Sequence, residues 1–175
     1  FVGTAAGAAT ATAGQNTFVG YHAGLQNTSI QNTFMGFNAG QANTGGAFNT
    51  FIGNLSGVSN NIGNQNTFIG DSSGMANTNG DANVFIGQGS GDANQSGNEN
   101  VFIGTDAGGA NTGGDRNVII GANAGLLSLA SDNIFIGHNA GKTNSIANDN
   151  IFIGSGTGLN NGFGQFNVFM GSDAG

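Results

Sequence analysis

The chain has 175 residues, of which 35 are Gly and none is Pro, Cys or Trp; nine are acidic and two basic, for a net charge of −7. Gly at about three times its usual share argues against long helices, and a chain whose only Lys and Arg are Lys142 and Arg116 has no basic stripe for a nucleic-acid backbone. Without Cys there is no disulfide framework, thiolate metal site or thiol nucleophile, and no apolar run approaches the roughly 20 residues of a membrane-crossing helix.

Taken in chain order, the sequence opens on Phe1-Val2-Gly3 and returns to the same motif at Phe18, Phe34, Phe51, Phe68, Phe85, Phe102, Ile119, Phe135, Phe152 and Phe169. The spacings are 17, 16, 17, 17, 17, 17, 17, 16, 17 and 17. A low-complexity disordered chain has no reason to keep such a period, so it reads as a repeat architecture. The two short steps, before Phe34 and before Phe135, look like one-residue deletions in a turn.

Around each anchor the same residue types recur. Two places before it stands Asn (Asn16, Asn32, Asn49, Asn66, Asn83, Asn100, Asn117, Asn133, Asn150 and Asn167). Immediately before it comes Thr17, Thr33, Thr50 and Thr67, then Val84, Val101, Val118, Ile134, Ile151 and Val168. Val, Ile or Met follows it. Each Asn-Thr/Val-Phe-Ile-Gly segment is therefore predicted to be a short β-strand closed by Gly. Gly recurs two and six places after every anchor, from Gly3 and Gly7 to Gly171 and Gly175, as expected at corners where φ is positive or no Cβ fits. A small residue precedes the second Gly. A second Asn column (Asn27, Asn43, Asn60, Asn77, Asn94, Asn111, Asn144, Asn161), replaced once by Ser128, predicts a second ladder of stacked amides about 4.8 Å apart.

These features predict an all-β fold: a parallel β-solenoid (β-roll or β-helix) of about ten to eleven coils, 17 residues per coil, forming one domain over residues 1–175. Both ends fall on a repeat motif without an atypical end unit, so the chain is expected to be an uncapped piece of a longer fibre.

Alternation along a strand puts the anchor on one face and its two neighbours on the other. Both faces are apolar here. One fills the lumen; the other presents either the Phe column or the Val, Ile and Met column, more than a soluble monomer normally leaves bare. A lengthwise seam between identical chains is the simplest cover, with Phe18, Phe34, Phe51, Phe68, Phe85, Phe102, Phe135, Phe152 and Phe169 as candidate structural and self-association residues. A flattened coil with both columns inside is the alternative.

Strings such as Asn16-Thr17-Phe18-Val19-Gly20-Tyr21-His22-Ala23-Gly24 and Asn133-Ile134-Phe135-Ile136-Gly137-His138-Asn139-Ala140-Gly141 resemble two related groups. One is the left-handed β-roll head of trimeric autotransporter adhesins, and the other is the Gly- and Asn-rich repeat region of phage tail-fibre-like proteins. The resemblance implies an extracellular homotrimeric fibre on a cell or virion surface, binding other surfaces or matrix. The adhesin repeat is shorter and carries Ala where this chain carries Phe, so the tail-fibre-like repeats lie nearer.

No residue set suggests catalysis, and neither cofactor nor metal is expected. His22 and His138 are isolated in polar loops, the acidic residues fall at turns, and no Gly-Gly-x-Gly-x-Asp nonapeptide for calcium occurs. The stretch Gly87-Gln88-Gly89-Ser90-Gly91 is a repeat corner and lacks the Lys and helix of a phosphate loop. The expected role is a non-enzymatic structural and adhesive rod, with an ice-binding face or an amyloid-like filament as alternatives.

Overall fold

A computed structural model of the chain describes residues 1–9 and 14–175. Ten strands of three residues each, β1 (Thr17–Val19), β2 (Thr33–Met35), β3 (Thr50–Ile52), β4 (Thr67–Ile69), β5 (Val84–Ile86), β6 (Val101–Ile103), β7 (Val118–Ile120), β8 (Ile134–Ile136), β9 (Ile151–Ile153) and β10 (Val168–Met170), form one parallel sheet in sequence order. Every pair is in repeat register, Phe51 opposite Phe68 and Phe68 opposite Phe85, and Val2 adds a bridge to Val19. Among the described residues there is no helix. The fold is a β-solenoid with a coil of 17 residues.

Parallel strands this short would be marginal if only their own ladder held them. Here the bonding continues round the coil. Thr50 N–H donates to Asn66 O at 2.8 Å in the strand, Gly57 N–H to Ser73 O at 3.0 Å past the corner, and Ala82 N–H to Asn64 O at 2.9 Å on the far side. Each coil is thus bonded to its neighbours along most of its contour, which satisfies the backbone groups that so tight a turn would otherwise leave open.

The interior is a set of columns. The anchor rings point inward and are fully buried from Phe18 to Phe152, stacking with centroids 4.8 Å apart and planes within 10° from Phe51 to Phe102. This measures the coil rise directly. Ile119 divides the stack into one run from Phe1 to Phe102 and another from Phe135 to Phe169. Opposite lies the column of small residues, Ala23, Ala39, Ser56, Ser73, Ser90, Ala107, Ala124, Ala140 and Thr157, also fully buried. The hydroxyls of Ser56, Ser73 and Ser90 donate to Phe68, Phe85 and Phe102 carbonyls at 3.0 Å.

The corner glycines are imposed by two different contacts. At Gly87 φ is +130° and an added Cβ would lie 2.5 Å from the carbonyl oxygen of Gly104 in the next coil. At Gly108 φ is +59° and the same atom would lie 2.7 Å from Cδ2 of Phe102. The first glycine lets coils stack, and the second makes room for the ring of its own coil.

Two further backbone columns have positive φ without any fixed residue type. One lies three places before the anchor (Gln15, Gln31, Phe48, Gln65, Ala82, Glu99, Arg116, Asp132, Asp149, Phe166), with φ of 55–62°. The other lies four places after it and includes His22, Asn38, Leu55, Ser72, Asp106 and Asn139, with φ of 54, 54, 55, 56, 52 and 57°.

Candidate interaction surface

Both Asn ladders form inside the coil. In the first, the backbone N–H of each Asn donates to Oδ1 of the preceding one: Asn32 to Asn16 at 2.8 Å, Asn49 to Asn32, Asn66 to Asn49 and Asn83 to Asn66 at 2.9 Å, and Asn100 to Asn83 at 3.0 Å. It continues through Asn117, Asn133, Asn150 and Asn167 at 2.9–3.0 Å. The amide nitrogens close the loop carbonyls, as Asn66 Nδ2 does on Gly80 O at 2.8 Å. In the second ladder, Asn60 donates to Asn43 and Asn77 to Asn60 at 2.6 Å. The deletions fall just after this second Asn. Asn43 Nδ2 reaches a carbonyl three residues on (Gly46), whereas Asn27 Nδ2 reaches one only two residues on (Ser29).

Most of these amides are fully buried and committed to one another or to loop carbonyls, so they hold the rod together and present no surface to a partner. The same holds for Phe18, Phe34, Phe51, Phe68, Phe85, Phe102, Phe135 and Phe152: at 0% exposure each, the Phe column is the core and lies away from any surface at which chains could meet. Phe169, in the last strand, is partly buried against it.

The outward columns are the residues before and after each anchor. They alternate with the buried anchor in the pattern half-buried, buried, half-buried over most strands, and Thr17, Met35, Ile136, Val168 and Met170 are exposed. Twenty side chains, two from each of ten strands, make a flat strip roughly 45 Å long and about 7 Å across, with no charged residue in it. From β5 onward it is Val and Ile against Ile or Met; in β1 to β4 it is Thr against Val, Met or Ile. Packing against like neighbours in register explains the half burial, since each methyl is flanked by the same group 4.8 Å above and below.

Polar groups line the corners beside this strip. A third side-chain ladder runs four places before the anchor, in the opposite sense to the first: Asn64 N–H donates to Asp81 Oδ1 at 2.6 Å, Asp81 N–H to Asn98 at 2.9 Å and Asn98 N–H to Asp115 at 2.7 Å. Asn and Asp alternate there, which keeps the carboxylates two coils apart. Gln65, Ala82, Glu99 and Arg116 join Asp81, Asn98 and Asp115 in lining a shallow groove. Arg116 pairs with Asp132 at 2.7 Å, and its guanidinium holds that carboxyl below the ordinary Asp value. Burial, reinforced by the neighbouring Asp106, pushes the Asp92 carboxyl up. On the opposite corner Tyr21 stacks on Phe37 at 5.3 Å and on His22 at 3.8 Å.

His138 is exposed, with its Nδ1 3.2 Å from Asn139 Nδ2, and lies several coils from His22. Among the described residues no three His, Cys, Asp or Glu come together as a metal-binding group, and no helix is long and apolar enough to cross a membrane. The chain matches no family model, no curated protein and no solved structure.

Proposed function

We propose that the chain is a non-enzymatic structural and adhesive rod, the repeat domain of an extracellular surface fibre on a cell or virion, in which identical chains associate side by side, as a homotrimer, about an axis parallel to the solenoid. The observation that supports this reading is the outer sheet face: an uncharged strip running the length of ten strands, apolar in both columns from β5 onward and in one column before it, half-exposed in the single chain. A strip of this size reaches the few hundred Å² at which exposed apolar patches on soluble proteins mark interaction sites. Because the strands stack in register, each rung presents its two outward side chains at the same place along the rod, and copies meeting around a rotation axis bring like columns together. Ligand contact then falls to the polar corner loops, whose residues vary from coil to coil.

Sedimentation equilibrium tests the seam. The wild-type chain should be a defined oligomer at micromolar concentration, and the double change Ile86→Lys and Ile103→Lys should give a monomer with an unchanged far-ultraviolet spectrum. A wild-type monomer under those conditions sinks the proposal.

A second reading, an ice-binding face, has one observation in its favour. Thr17, Thr33, Thr50 and Thr67 follow one another along the strip at the coil spacing, pointing away from the core. The other Thr column is less suited, since Thr28 donates its hydroxyl to Thr44 O, Thr44 to Asn61 Oδ1 and Thr78 to Gln95 O. Thermal hysteresis in the wild type, lost in Thr33→Leu with Thr50→Leu, would favour this reading over the seam.

A further inference from the structure

The second Asn ladder is regular from Asn43 to Asn94, each amide nitrogen donating to the preceding Oδ1, as Asn94 does to Asn77 at 2.9 Å. It is regular again where Asn161 donates to Asn144 at 2.9 Å. Between these stretches Ser128 takes the place of an Asn, and the disturbance spreads one coil back. Asn111 turns its amide over, so that Oδ1 accepts from Gly114 N–H at 2.8 Å and Nδ2 faces Ala130 O at 3.5 Å. Asn94 Oδ1 and Ser128 Oγ, both in residues at 0% exposure, are left with no hydrogen-bond partner. Beyond the gap Asn144 Nδ2 donates to its own loop, at Ala147 O, 2.7 Å away.

The cause is chemical. Each ladder oxygen takes its proton from the amide of the following coil, and a Ser side chain has no amide and is too short to replace one. Whichever way Asn111 is turned, one amide oxygen is left over: that of Asn94 in the arrangement seen, that of Asn111 if its amide swings back. An unpaired buried acceptor costs about 1–3 kcal/mol. Exchanging an amide group for a hydroxyl also removes roughly the volume of one water molecule, at a ladder position whose neighbours above and below are the polar side chains of Asn111 and Asn144, the condition under which such a space holds water.

The geometry points to a structural water site at Ser128, one molecule standing in the ladder where the other coils have an amide. In that place the water bonds to Ser128 Oγ, accepts the second hydrogen of Asn144 Nδ2 and donates to Asn111 Oδ1. Asn111 then returns to the common orientation and its Nδ2 supplies Asn94 Oδ1. Every side-chain polar atom of the interrupted ladder acquires a partner in exchange for the bond from Gly114 N–H, and the ligand needed is water alone. The site is enclosed within one chain and does not depend on the proposed seam.

A high-resolution crystal structure of the wild-type chain tests this directly. The expected result is one ordered water within about 3 Å of Ser128 Oγ and of Asn111 Oδ1, with the Asn111 amide matching Asn60 and Asn77. The variant Ser128→Asn should expel the water, close the ladder and raise the thermal midpoint by a few degrees; Ser128→Ala should keep the gap and lower the midpoint. A dry gap in the wild type, with Asn94 or Asn111 Oδ1 still unpaired, overturns the assignment. Should Ser128→Asn fail to fold, the wild-type density alone decides between the two results.

Discussion

A Cβ placed on Gly70 would lie 2.5 Å from the carbonyl oxygen of Gly87, in the same corner of the next coil. Two main chains meet there with no side chain between them, and the coil rise depends on that approach. Gly70→Ala combines this collision with a φ of +136° and should cost about 3 kcal/mol or more. Gly45→Ala, where the nearest atom is Ile62 Cγ2 at 3.4 Å, should change stability by less than about 0.5 kcal/mol. Urea midpoints of the two variants against wild type make the comparison.

Asn66 closes three contacts at once: its amide donates to Gly80 O at 2.8 Å, its Oδ1 accepts from Asn83 N–H at 2.9 Å, and its own N–H reaches Asn49 Oδ1 at 2.9 Å. Asn66→Ala leaves the buried Asn83 N–H unpaired and takes one of two donors from Gly80 O, which Asn77 Nδ2 still reaches at 3.2 Å, and should cost roughly 2 kcal/mol. Amide hydrogen exchange should locate the loss in the coils on either side of residue 66, with the distant coils near Asn150 unchanged.

The break in the aromatic stack should be repairable. Ile119 lies in register between Phe102 and Phe135, and the coil spacing suits a ring there as well as elsewhere. Ile119→Phe should raise stability by about 1 kcal/mol and intensify the near-ultraviolet circular dichroism beyond the contribution of one added Phe. No change in that signal would mean that the coil of β7 cannot seat a ring.

Asp92 predicts a pH dependence of definite sign. Its carboxyl is raised in the folded chain by burial and then by the Asp106 charge, so the folded state holds that proton more tightly than the unfolded one. The resulting destabilisation is absent below the ordinary Asp value and fully present above the raised one. Asp92→Asn should therefore raise the thermal midpoint at pH 7, by the equivalent of less than about 1 kcal/mol because the group is half-exposed, and leave it unchanged at pH 3.

The solenoid was legible wherever the interior dictates a residue type. Phe18 and its equivalents recur because a ring must stack on the ring below, Asn66 and its equivalents because an amide must both donate and accept, and the corner glycines because a Cβ has no room. The side of the strand on which the rings lie was not legible from alternation, since both faces are apolar. The second corner glycine did carry the clue: Gly108 is squeezed by Phe102, so the ring and that corner share the interior. The third ladder of Asn64, Asp81, Asn98 and Asp115 has no fixed residue type, because Ala47 and Ser131 occupy its column elsewhere and any oxygen-bearing side chain serves. The positive-φ column through Phe48, Ala82 and Arg116 left no trace, because its side chains point to solvent and only the backbone is constrained; in the column after the anchor, the frequency of Asn and Asp at Asn38, Asp106, Asn123, Asn139 and Asp173 is a faint signal.

The register of ring on ring makes this chain a ruler. A coil touches only the coil above and the coil below, so inserting or removing one whole repeat breaks no contact that the new neighbours cannot remake. Each repeat gained by duplication carries every loop beyond it along the axis by one graduation of 4.8 Å, in the same orientation and with the same chemistry at its base. Reach can thus be changed in fixed increments independently of the surface displayed, and the number of anchors, Ile119 counted with the Phe residues, is a direct count of length.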